Sequence, residues 1–209
     1  DILAGLWDAA EVEVWRVNWA DPGQRVLMRQ GAIGEIRRGQ TAFIAEIRSL
    51  AHILGQTVGR MFQSSCDADL GDARCRIDLN DPAFTGTGAV LEPLRDRVFR
   101  AAGLGAFDPG WFAFGTVEWD SGENVGRRIE VLSHEVTDGI ATLTLLEALV
   151  WPIATGDTFT ARAGCDKRIE TCAAKFANSA NFRGFPQIPG QDTILRYATR
   201  DGGHEGGVL

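Results

Sequence analysis

Four cysteines are the residues of this 209-residue chain best suited to inorganic chemistry, and they fall into two pairs. Cys66 and Cys75 have eight residues between them, and Cys165 and Cys172 have six. On a helix seven positions turn through about 700°, so Cys165 and Cys172 would share a face on the order of 10 Å apart along the axis. That is longer than the ~7 Å that a disulfide allows between Cα atoms. A cluster several ångströms across could bridge the pair, the more so with a distorted first turn. Cys66 and Cys75 would point to opposite sides of a helix. Their segment, Cys66-Asp-Ala-Asp-Leu-Gly-Asp-Ala-Arg-Cys75, reads instead as a loop folded back at Gly71 that aims both sulfurs inward.

Four readings of these thiols stand side by side. They could be unrelated buried side chains, because free cysteine packs as a small hydrophobe. Two disulfides would need an oxidising compartment, and nothing here signals export. Structural zinc usually takes tight Cys-x2-Cys pairs, which this chain lacks. An iron–sulfur cluster also takes four thiolates and, being larger than one ion, tolerates wider spacing, so [4Fe–4S] is the favoured metal reading. Arg74, Arg76, Lys167 and Arg168 neighbour the four and would offset a cluster's negative charge. Asp67, Asp69 and Asp72 partly cancel them, as they would on an ordinary solvated surface.

The elements that must carry these pairs are mostly strands. Glu11 to Trp19 alternates polar and apolar residues, the pattern of a half-buried strand. Further strands are expected at 25–29, 31–37 and 41–50, with a turn at Asp21-Pro22-Gly23 and a hairpin loop at Arg38-Gly39-Gln40. Others follow at 97–101, 111–119, 128–133, 140–146 and 158–161, and many short strands with Gly-rich turns indicate a barrel or sandwich. Leu50 to Phe62 has helical apolar spacing weakened by Gly55 and Gly59, and Asp166 to Phe176 is the better helix. The Gly-rich end, Asp201 to Leu209, is expected to be mobile. A domain join is expected near 80–85.

Composition removes several classes of function. The charge of −7 argues against a nucleic-acid-binding surface. The longest apolar runs, such as Ala148 to Ala154, are far short of the ~20 residues that span a bilayer. The chain starts at Asp1 without an export signal, and a further N-terminal domain is expected ahead of it. Ser133-His134-Glu135 has triad residue types, but neighbours on a strand face opposite ways and cannot pair. His134 is expected at a surface or subunit contact, His52 in a core or hinge, and His204 in the tail. Neither a phosphate-binding loop nor a dinucleotide site is present; the glycines at 102–106 lack the strand–turn–helix context. Trp111, Phe112, Phe114 and Trp119 are expected in a core, and Phe182, Phe185 and Pro186 beside the cysteines.

Residues 107–119, Phe-Asp-Pro-Gly-Trp-Phe-Ala-Phe-Gly-Thr-Val-Glu-Trp, and 164–190, with Phe176-Ala-Asn-x-x-Asn181-Phe-Arg-Gly-Phe-Pro-x-Ile-Pro-Gly190 at their heart, are long and unusual. They resemble the baseplate hub proteins of siphophage-like tails, especially the hub of alphaproteobacterial gene transfer agents. The resemblance covers essentially the whole chain. Related hub proteins of lambda-type tails carry a [4Fe–4S] cluster on Cys-x8-Cys and Cys-x6-Cys, which implies Cys66, Cys75, Cys165 and Cys172 as its ligands here. It further implies a structural, non-enzymatic protein of a virion-like particle, assembled in the bacterial cytoplasm and without stable membrane insertion. Such a hub is trimeric or mixed around the tail axis, below the distal tail protein and above the receptor-contacting tip protein, and it lines the channel through which DNA leaves. The expected fold is mainly β: a hub-barrel domain with the cluster loop over 1–80, a second β domain over 81–163, and a cluster-binding segment with a tail over 164–209. A four-cysteine zinc protein of the same assembly and a tail-associated wall hydrolase are the alternatives.

Overall fold

The computed structural model describes residue 2 and residues 5–188, and the chain divides into two units, residues 1–59 and 60–209. In the first unit β1 (Glu11–Asn18), β2 (Asp21–Arg38) and β3 (Phe43–Arg48) form an antiparallel sheet in that order. The closed barrel expected of the first domain is therefore an open three-stranded sheet. β2 runs unbroken through the expected turn at Asp21 and the expected break at Gln30, because shifts of register against β1 and β3 absorb the irregularities. The hairpin at Gly39 closes as expected, with its N–H donating to Ala42 O at 2.8 Å. The helix expected over 50–62 is only α1 (Leu50–Leu54), stopped at Gly55. His52 lies on it exposed rather than in a core, its ring 3.4 Å from the Gln56 amide.

The second unit is built on six strands: β4 (Thr85–Arg95), β5 (Val98–Ala102), β6 (Thr116–Trp119), β7 (Arg128–Thr137), β8 (Ile140–Leu145) and β9 (Thr158–Arg162). Antiparallel pairing in the order β4-β5-β8-β7-β6-β9, with β9 returning to β4, closes them into a barrel. Alternate residues point inward, and a barrel this small fills with side chains. Phe99, Trp119 and Phe159 pack on one another with ring centroids 5.4–5.6 Å apart. Val117, Leu143, Leu145 and Ala161 complete the interior.

Two departures from the sequence reading have clear causes. β4 carries Gly86, Gly88 and Pro93 and shows no strand signal. Its glycines sit where aromatic rings press on the strand: a Cβ on Gly88 would meet Phe159 at 2.6 Å, and one on Gly86 would meet Phe107 at 2.8 Å. The strand expected over 111–119 is β6 alone, and residues 111–115 are turns. Phe112 and Trp119 are buried as expected, but Phe114 sits at φ 61° and is exposed.

The join expected near 80–85 falls inside the second unit, because residues 60–84 bond to the segment that follows β9. The better helix is α2 (Ile169–Ala174), shorter than Asp166 to Phe176, and Cys165 precedes it. The Gly-rich tail with His204 lies outside the described residues.

His134 on β7 is buried rather than at a surface, edge-on to Phe112 at 5.1 Å. Neither ring nitrogen has a partner of normal geometry among the described residues. Burial and then the charge of Lys175 hold its pKa below the usual histidine value, against a weaker pull from the Asp108 backbone. The folded protein thus resists a proton that the unfolded chain accepts. Stability in urea should fall as pH drops below about 6.5, and His134→Phe should flatten that part of the profile. Phe159→Ala should destabilise the barrel by about 3–5 kcal/mol in the same assay.

Candidate metal-binding site

The cysteines lie on the two segments that flank the barrel, and all four line one pocket between those segments. The first folds back at Gly71, φ 84°, as expected, and Asp72 organises it from within. One Asp72 oxygen accepts from the N–H groups of Arg74 and Cys75 at 2.8 and 2.6 Å, and the other from Asp69 at 3.2 Å. Arg60 and Arg74 both bind Asp67. Arg60 lowers the Asp67 pKa most, and the Cys75 N–H lowers that of Asp72 most.

The second segment leaves β9 at Gly164, where the chain passes so close to Ala113 O that a Cβ would lie 1.9 Å from it. Lys167 then turns the backbone through φ 66°, so Cys165 enters from extended chain and Cys172 from α2. The single helix face expected for this pair is absent, because the left-handed turn replaces the first helical turn. Lys175 anchors α2 to the barrel, donating to Trp111 O and to Gly164 O and lying 4.7 Å from the Trp111 ring. Burial pushes its pKa down to about 8.

Hydrogen bonds join the two segments. Cys66 N–H donates to Lys167 O at 2.8 Å, Phe185 N–H to Gln63 O at 2.8 Å, and the Asn178 amide to Cys75 O at 2.7 Å. Between them lies a small cavity, partly open to solvent, lined by Cys66, Cys75, Cys165 and Cys172. Ala68, Leu70, Ile77, Phe176 and Phe182 supply much of the rest of its wall. Phe182 is thus beside the cysteines as expected, whereas Phe185 packs on Phe62, with ring centroids 4.8 Å apart and planes tilted by 60°. The four thiols are free. Burial raises the pKa of Cys165, and burial followed by the charges of Cys165, Cys66 and Cys75 raises that of Cys172. Both shifts favour the protonated form of the Cys165 and Cys172 thiols.

The expected cations are mostly engaged elsewhere. Arg74 is held by Asp67 and Asp72, and the Lys167 ammonium by Ala68 O, with Asp69 at 3.7 Å. Among the described residues no three His, Cys, Asp or Glu side chains stand close enough to hold one metal ion. Sequence reasoning missed Asn178 and Lys175, since an asparagine after a helix reads as a stop and a lysine as a surface charge.

Residues 1–78 match the family described as baseplate hub protein, N-terminal attachment domain, and residues 110–192 match phage conserved hypothetical protein BR0599. No curated protein matches. Among solved structures, a chain of the virion of a native gene transfer agent particle superposes with a TM-score of 0.80 at 41% identity, covering 100% of this chain and 72% of that one.

The carboxylates that organise the cysteine loop are held ionised, so their contribution is present above about pH 4 and is lost as pH falls through their lowered values. Asp72→Ala should therefore speed hydrogen exchange at the amides of Arg74 and Cys75 at neutral pH. In the unchanged protein the same amides should lose protection in acid before those of β8 do. At 41% identity over its whole length, the chain belongs to the baseplate hub proteins of phage-like tails, the group represented in gene transfer agent particles.

Proposed function

We propose that this structural component of a phage-tail baseplate is clamped by a [4Fe–4S] cluster on Cys66, Cys75, Cys165 and Cys172. The observation that carries the proposal is four thiols around one largely apolar cavity, with no three of the described candidate ligands near enough for a single ion. Zinc needs its ligands at about 2.3 Å from one centre, whereas a cluster reaches thiolates spread around a larger core. That contrast favours the cluster over the four-cysteine zinc reading. The donor set fits as well: N–H groups of Lys167 and Arg183 each lie 3.4 Å from a cysteine sulfur, of Cys165 and Cys66 respectively.

When bound, the group supplies four covalent attachments between chain segments about 90 residues apart, which stabilises the native state because the unfolded chain holds no such site. The surrounding residues orient the thiolates: Asp72 shapes the first loop, Lys175 seats α2, and Phe176 and Phe182 line the pocket beside the sulfurs.

In the baseplate the chain joins the tail tube to the tip as part of a ring around the tail axis, homotrimeric or mixed. Its neighbours are a distal tail protein above and a receptor-contacting tip protein below. The net charge of −7 suits the wall of a channel that DNA must pass without adhering. A structural role also accords with the charged side chains. Among the described residues, every carboxylate with a clear shift, at Glu46, Asp67, Asp72 and Glu118, is shifted down, opposite to what a general acid of a wall hydrolase requires.

Anaerobic purification tests the cluster. A brown protein with about four iron and four sulfide per chain is expected, and Cys172→Ser should lose colour, iron and gene transfer or infectivity together. A folded, colourless protein that contains zinc or no metal, and that cannot be reconstituted with iron and sulfide, would overturn the proposal.

A further inference from the structure

We infer that Asn178 is a positioning residue for the Cys75 sulfur, holding an amide N–H against it so that negative charge on a bound cluster is stabilised; this rests on the cluster reading above. Asn178 is only 9% exposed, and its neighbours fix which way its amide faces. The Asn181 amide donates to Asn178 Oδ1 at 2.7 Å, which leaves Nδ2 directed at Cys75. There it donates to Cys75 O at 2.7 Å, with Cys75 Sγ 3.7 Å away. The Asn178 backbone N–H meanwhile donates to Cys172 O at 3.0 Å, so one residue touches both cysteine pairs.

The backbone is bent to allow this. Ala177, directly before, stands at φ 47°, a conformation that is strained for a residue with a Cβ. Strain of that kind persists where surrounding contacts impose it. Cys66 and Cys165 receive their donors from backbone N–H groups, so Asn178 is a donor that evolution or experiment can alter by substitution. An N–H directed at a ligating sulfur withdraws electron density and favours the state with one more electron, which raises the reduction potential.

The full chain, reconstituted anaerobically with ferrous iron and sulfide, is compared with Asn178→Leu and Asn181→Ala by a dithionite titration followed optically. Asn178→Leu keeps the branched four-atom side chain and removes the donor. Its midpoint should move to a more negative potential by the order of a tenfold change in the one-electron equilibrium, about 59 mV, with iron and sulfide content retained. Asn181→Ala, which frees the amide to turn, should move it the same way by less. A merely structural role would change loading or thermal stability and leave the midpoint alone. Loaded variants with the unaltered midpoint would overturn the role of Asn178 and leave the cluster reading intact. Failure of the unaltered protein to take up iron and sulfide would overturn both. Should Asn178→Leu not fold, Asn181→Ala decides: an unmoved midpoint in that variant overturns the inference.

Discussion

The antiparallel pairing of β4 with β9, which sets Thr85 opposite Arg162, closes the barrel and makes the chain leave it where it entered. Both cysteine segments hang from that seam. The first runs into β4 and the second runs out of β9, so neither needs a long connection to reach the other. The barrel between them is in effect a closed loop whose entropic cost grows only as the logarithm of its length, and its own aromatic core drives the closure. Without the seam, the four thiols would be scattered along the chain, and no local feature of either segment would gather them.

That dependence explains what could be read in the sequence. The spacing of the cysteines and the reversal at Gly71 are local properties and were legible. So were most strands, because inward residues such as Phe99, Leu143 and Phe159 recur every second position. β4 was not legible, since its glycines answer to rings that arrive from distant parts of the chain. Cys165 and Cys172 obeyed helical spacing by coincidence, because the turn at Lys167 is imposed by its contacts with the other segment. His134 was misjudged for a related reason: its strand position was clear, but the covering ring of Phe112 comes from an irregular turn that carries no periodic signal.

The first unit follows a different principle. Three strands and one short helix enclose no core of their own, and among the described residues of this unit no side chain is buried. Trp19, Ile44 and Val58 are each more than 70% exposed. A small open sheet of this kind has little stability in isolation, and extended apolar exposure is the mark of a surface meant to be covered. The barrel unit shows the reverse, with a filled interior of its own. Within one chain, therefore, a unit with a packed core follows one whose described apolar residues stay largely exposed.

The distance between the two cysteine pairs also has a consequence in time. Synthesis proceeds at roughly 5–20 residues per second, so Cys66 and Cys75 emerge on the order of ten seconds before Cys172 is even made. The rim of the cavity cannot exist until the last strand of the barrel has joined the first. Anything that engages all four thiols must therefore act after the barrel has been made, and a ribosome stalled anywhere in the barrel would release a product with only the first two of them.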